Sequence, residues 1–155
     1  IVAKNCFENM KNLNDLRLYH NEIEELPKDV FSELKNLEYL NIARNKITKF
    51  DSKIISKLSK LKKFDASFNE LREIPKNFFE NNPEIREIYL NGNKITTFDP
   101  SNFNDQFLTT SKITTFDITG NFATCNLKYD SMNADREEFK KFIQTVMDAC
   151  NVFKN

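Results

Sequence analysis

The amino-acid sequence predicts an α/β solenoid, a curved stack of coils that each contribute one short strand to a parallel sheet, closed by a C-terminal helix. Three observations predict it. An eleven-residue phrase recurs along the chain, a second motif recurs behind it, and both stop where an amphipathic stretch begins. Internal repeats of this length signal stacked architectures, because one unit cannot bury its apolar face alone.

The phrase has apolar residues at its first, fourth, sixth and eleventh places and asparagine at its ninth. It reads Leu13, Leu16, Leu18, Asn21, Ile23; then Leu37, Leu40, Ile42, Asn45, Ile47; then Leu61, Phe64, Ala66, Asn69, Leu71; then Ile85, Ile88, Leu90, Asn93, Ile95. A looser copy is Ile113, Phe116, Ile118, Asn121, Ala123. The first four copies are spaced by 24 residues and the last follows after 28. Within each phrase two apolar side chains flank an outward one, the alternation of a strand with one buried face. The asparagine column (Asn21, Asn45, Asn69, Asn93, Asn121) falls where the chain leaves the strand. There its amide is expected to satisfy buried backbone groups of adjacent coils.

The second motif fills the rest of each period. Leu26-Pro27, Phe31 and Leu34 have counterparts in Ile74-Pro75 with Phe79 and in Phe98-Asp99 with Phe103, while Ile55 replaces the aromatic residue after Phe50-Asp51. These segments predict turns or short helical pieces on the convex side, with the phenylalanines filling the thick part of the core.

Together the two motifs resemble the LxxLxLxxNxL and LPxxxFxxL pattern of leucine-rich repeats of the typical, 24-residue class found in secreted and cell-surface animal proteins. The resemblance implies a horseshoe with its strands on the concave face and a protein-binding role. Repeats are expected over 1–124, as a partial repeat over 1–12 and repeats starting near 13, 37, 61, 85 and 113, followed by a cap over 125–155. In that register Val2, Cys6, Phe7 and Met10 match Leu26, Val30, Phe31 and Leu34, so the chain opens in the middle of a repeat. That suggests a piece of a longer protein, the alternative being a naturally short chain with a frayed start.

After Asn121 the periodicity ends. Phe139, Phe142, Ile143, Val146 and Met147 recur at helical spacing, predicting an amphipathic capping helix over 133–150 with Asn133 as its N-cap. The cysteines are Cys6, Cys125 and Cys150. Cys125 and Cys150 resemble a reduced form of the cysteine-bearing C-terminal flank of extracellular leucine-rich proteins, which implies a disulfide across the cap. Two free thiols are the alternative. Cys6 is either a small buried residue or a thiol whose partner lies outside this chain.

Composition narrows the function. Lys+Arg and Asp+Glu balance at 23 each, so no global field draws the chain to nucleic acid or an anionic membrane. No apolar run reaches the roughly 20 residues that span a bilayer. With His20 the only histidine, neither a serine triad nor a metal site finds support, and no glycine-rich phosphate loop occurs. The expectation is a non-enzymatic protein that needs no cofactor.

The outward strand positions instead define a candidate binding surface. Aromatics and arginines, the residue types enriched at interface hot spots, stand in it. The candidate partner-binding residues are Arg17, Tyr19, Tyr39, Asn41, Arg44, Lys63, Asp65, Phe68, Glu87 and Tyr89. Phe68 has the alternative of turning inward. The expected partner is a protein, in the extracellular space, with the oligomeric state open. The phenylalanine-, lysine- and asparagine-rich composition resembles arthropod leucine-rich proteins, some of them immune. An intracellular adaptor with free thiols and an extracellular matrix protein are the alternatives.

Overall fold

The computed structural model describes residues 2–96, 103, 105–110, 112–121, 127–130 and 135–151. Five three-residue strands, β1 (Asp15–Arg17), β2 (Tyr39–Asn41), β3 (Lys63–Asp65), β4 (Glu87–Tyr89) and β5 (Thr115–Asp117), lie side by side in chain order and parallel. The register aligns Leu16 with Leu40, Leu40 with Phe64, Phe64 with Ile88, and Ile88 with Phe116. Each step advances one repeat, so every place in the phrase becomes a column across the sheet. The central residue of each strand points into the core, and the residues on either side face out in β1 to β4. The result is an α/β solenoid of stacked coils whose strands form one parallel sheet along one face.

Side-chain carboxamides tie adjacent coils. Asn69 Nδ2 donates to the Ile42 carbonyl of the previous coil at 3.0 Å, while its Oδ1 accepts from the Ile47 N–H at 3.0 Å. Asn45 and Asn93 do the same, donating to the carbonyls of Leu18 and Ala66 and accepting from the N–H groups of Ile23 and Leu71. Asn121 continues the series, bonded to Leu90 and Ile95. Asn21 is exposed and donates within its own coil, to the carbonyls of Leu18 and Tyr19.

Opposite the sheet the chain is mostly turns. Phe31 and Phe79 are fully buried and Phe103 nearly so, with Phe79 and Phe103 stacked at 5.6 Å. The coil that carries Ile55 supplies Phe50 instead, which stacks at 5.3 Å on Phe78, a core residue outside the repeating motif. The 28-residue step contains a helix, α1 (Asp105–Thr110), where earlier coils have turns; its Phe107 is buried beside Phe103 at 5.1 Å. Asn82 takes the place of Leu34 and Leu58 in the convex column. It is fully buried and donates to the carbonyls of Ile55 and Leu58, so a polar link replaces an apolar contact there.

The closing end differs in detail from the expected cap. A sixth strand, β6 (Lys128–Asp130), runs antiparallel to β5, which buries Thr115 and leaves β5 no longer an edge. Helix α2 (Arg136–Asn151) packs Phe139, Ile143 and Val146 inward. Its N-cap is Asp135, whose Oδ1 accepts from the Glu138 N–H at 2.9 Å, three residues into the helix. The cap therefore falls two residues later than expected, and Asn133 lies outside the described residues. Tyr129 of β6 joins strand to helix, with its ring 5.2 Å from Phe139 and its hydroxyl donating to the Asp135 carbonyl at 3.0 Å. The side chains of Cys125, Met147 and Cys150 also lie outside the described part. Cys6 is exposed, not a buried small residue, and among the described residues it forms no disulfide. No helix among the described residues is long and apolar enough to cross a membrane.

Candidate recognition surface on the concave sheet

Alternation along β1 to β4 turns two columns outward, Asp15–Tyr39–Lys63–Glu87 and Arg17–Asn41–Asp65–Tyr89. Because the strands are in register, neighbours in a column come from repeats 24 residues apart. Lys63 Nζ is 2.8 Å from Glu87 of the next strand and 4.8 Å from the ring centre of Tyr89. On its other side it lies 5.6 Å from the ring centre of Tyr39, over which the Arg17 guanidinium sits at 5.3 Å. Arg17 in turn donates to Asp15 at 2.8 Å. Four strands thus carry one continuous line of alternating cations and aromatic rings, with carboxylates at its ends.

Partial burial shapes the charges at the centre of this line. Burial alone would lower the Lys63 ammonium and raise the Glu87 carboxyl. Their mutual hydrogen bond and attraction, with a second bond from Tyr89 to Glu87, outweigh it, so Lys63 is held above and Glu87 below their ordinary ranges. The Tyr89 phenol is pushed up by burial and by donating to Glu87 at 2.9 Å. All three keep their neutral-pH forms over a wide range, so the patch is fixed rather than titrating.

The candidate residues separate into two kinds. Asn41 and Asp65 face the sheet surface, but their side chains accept from the backbone N–H two residues on, at Ala43 and Ser67. Asp117 does the same with Thr119. These three hold the turn that follows each strand, a role that alternation alone does not reveal; Asx turns of this kind are common for Asn and Asp. Arg17, Tyr39, Lys63, Glu87 and Tyr89 form the line just described. Tyr19 and Phe68 stand clear of the core at 52% and 47% exposure, so Phe68 does not turn inward.

The rim beside the sheet has a backbone cause. The eighth place of every phrase is left-handed: His20 at φ 58°, Arg44 at 54°, Phe68 at 53°, Gly92 at 67° and Gly120 at 65°. Glycine takes this conformation freely, whereas each other L-residue costs about 1–2 kcal/mol. Among the described residues no cluster of His, Cys, Asp or Glu could hold a metal ion. A depression of about 590 Å³ lies at the first coil among Phe7, Glu8, Asp29 and Val30, away from the aromatic line.

Comparisons with known proteins agree on the architecture. The leucine rich repeat pattern matches residues 11–71, and a second leucine rich repeat pattern matches 84–105. Among solved structures, the LRIM1/APL1C complex superposes with a TM-score of 0.69 at 21% identity, over 77% of this chain and 21% of that one. The leucine-rich repeat domain of APL1B gives 0.63 at 19% identity, over 70% of this chain and 31% of that one. An internalin of Listeria monocytogenes gives 0.55 at 24% identity, covering 73% of this chain and 30% of that one. The chain therefore spans about a fifth to a third of the length of these structures, and at such identity the likeness is one of fold. Curated protein sequences give no significant match.

Proposed function

We propose that this chain, a leucine-rich repeat protein, is a non-enzymatic recognition module that holds a protein partner against its concave sheet. The observation that carries this reading is the line Arg17–Tyr39–Lys63–Tyr89 across four strands. Its side chains are mutually supported before any partner arrives, so binding loses little further side-chain freedom. Aromatic rings with flanking cations are the groups on which interface energy concentrates. A wide, shallow sheet suits a folded protein or a polypeptide segment better than a small molecule, which needs a deep pocket. Measured against a partner isolated with the wild-type chain, the double variant Tyr39→Ala/Tyr89→Ala is expected to bind more than about tenfold more weakly. Its far-UV circular dichroism should match wild type. Unchanged affinity would remove the concave sheet from the account.

The compartment we propose is extracellular, secreted or as part of a receptor ectodomain. The resemblance of Cys125 and Cys150 to a C-terminal flank supports it, and the composition shared with arthropod leucine-rich proteins supports a role in innate immunity. An intracellular adaptor is the second reading, favoured by the exposed Cys6, which forms no disulfide among the described residues. Alkylation of native protein kept from reductant separates them. The extracellular reading expects one modified cysteine, Cys6, and a linked Cys125–Cys150 peptide, with stability that falls by about 3 kcal/mol on reduction. Three modified cysteines and no response to reductant would establish free thiols and favour the adaptor.

A further inference from the structure

We infer that the rim beside the concave sheet carries a carboxylate subsite, built from Arg44 and Phe68 on a floor of Gly92, that takes an acidic side chain of the partner polypeptide. The inference deepens the concave-face reading and rests on it. Its first support is geometric. The left-handed backbone at Phe68 turns the ring away from the core, and the Arg44 guanidinium lies over the ring at 4.6 Å from its centre. The other side of the ring is set by Gly92, since a β-carbon there would come within 2.6 Å of Phe68 Cδ1. An exposed phenylalanine is thus held in place by a cation from the preceding coil and a bare backbone from the following one.

The second support is charge complementarity. The other cations on this sheet each meet a carboxylate of the chain itself: Arg17 with Asp15, Lys63 with Glu87 and Lys128 with Asp130. Among the described residues Arg44 has no carboxylate within ion-pair distance. A guanidinium stacked on a ring keeps its N–H edge outward, the geometry that receives a carboxylate through two parallel hydrogen bonds. The ring beside it offers an apolar contact to whatever residue follows the acid. The occupant is therefore a glutamate or aspartate flanked by an apolar residue in the partner's chain.

The test uses N-acetyl-Leu-Glu-Leu-amide and its Leu-Gln-Leu counterpart at millimolar concentration, titrated into the full chain labelled with nitrogen-15. The glutamate peptide is expected to move the Arg44 Nε–Hε signal and the Phe68 and Gly92 amides, and the glutamine peptide is not. Arg44→Gln should weaken the interaction about tenfold, the loss expected when a charge-assisted pair disappears. Gly92→Ala should weaken it by displacing the ring while leaving Arg44 in place, with circular dichroism confirming that both variants fold. Equal shifts with both peptides, shifts elsewhere, or none would overturn the subsite. Loss of the subsite with Tyr39→Ala/Tyr89→Ala still weakening the partner would leave the concave reading standing. A working subsite with an indifferent double variant would move recognition from the sheet to the rim.

Discussion

Replacing Phe79 by alanine is expected to destabilise the protein by about 3–5 kcal/mol, the range for removing a fully buried aromatic side chain. Phe79 has no solvent exposure and lies within 6.3 Å, centre to centre, of Phe64, Phe78, Phe103 and Phe107. Those rings come from two successive coils and cannot all close on the space left behind. The consequence should exceed a lower midpoint. In a solenoid each coil is stabilised by its neighbours, so a weak junction in the middle divides the stack into two cooperative units. Urea unfolding followed by circular dichroism should show a reduced slope or two steps for Phe79→Ala. Phe7→Ala, at the half-buried first coil where the ring stacks on Phe31 at 5.9 Å, should cost less and keep one transition.

Asn69→Ala is expected to cost ~1–3 kcal/mol, and Asn21→Ala no more than about 0.5 kcal/mol, although both occupy the same place in the phrase. The difference lies in what each amide satisfies. Asn69 is 5% exposed; without it the Ile47 N–H loses its acceptor and the Ile42 carbonyl a donor, both inside the stack. A buried polar group left unpaired costs its full desolvation, whereas the partners of Asn21 are reached by water. Asn69→Asp makes a sharper probe, since it keeps the acceptor for Ile47 but removes the donor and buries a charge. It should destabilise at least as much as alanine at neutral pH and recover as the carboxyl protonates. Equal costs at 21 and 69 would mean that the columns do not cross-link the coils.

Repetition explains which parts of the fold could be read in the sequence. A 24-residue period repeats the same local instruction, so the strand at Leu40, its register with Phe64 and the column of outward residues follow from one alternation applied several times. Once strands are in register, residues 24 apart become neighbours, which is why Lys63 meets Glu87 and Tyr39. Features that occur once lacked such support. Strand β6 has only three residues and no copy, and its pairing depends on β5 presenting an open edge. Phe78 sits beside a repeating phenylalanine, in a column whose earlier members Val30 and Ile54 are also buried, but residue type varies there too much to read as a motif. Helix α2 was legible from its apolar spacing, but Asn133 and Asp135 are both good capping residues and sequence alone does not rank them. In the candidate surface, aromatic and basic positions were legible from alternation. The backbone hydrogen bonds of Asn41 and Asp65 were not, because short polar side chains look alike whether they meet a partner or their own turn. The left-handed column likewise becomes visible only in the backbone, since three of its five members are not glycine.

The most direct test of recognition through the concave sheet works on a partner whose identity is still open. A photo-crosslinking amino acid is placed at Tyr39, in the middle of the line, or at Lys57, exposed in a turn opposite the sheet. Each chain is irradiated in the source organism's fluid and the adducts are compared. The account predicts one discrete adduct from position 39, suppressed by excess unlabelled wild-type chain but not by the Tyr39→Ala/Tyr89→Ala chain, and none of that mass from position 57. The same adduct from both positions, or one from position 57 alone, would contradict it and place the partner on the other face.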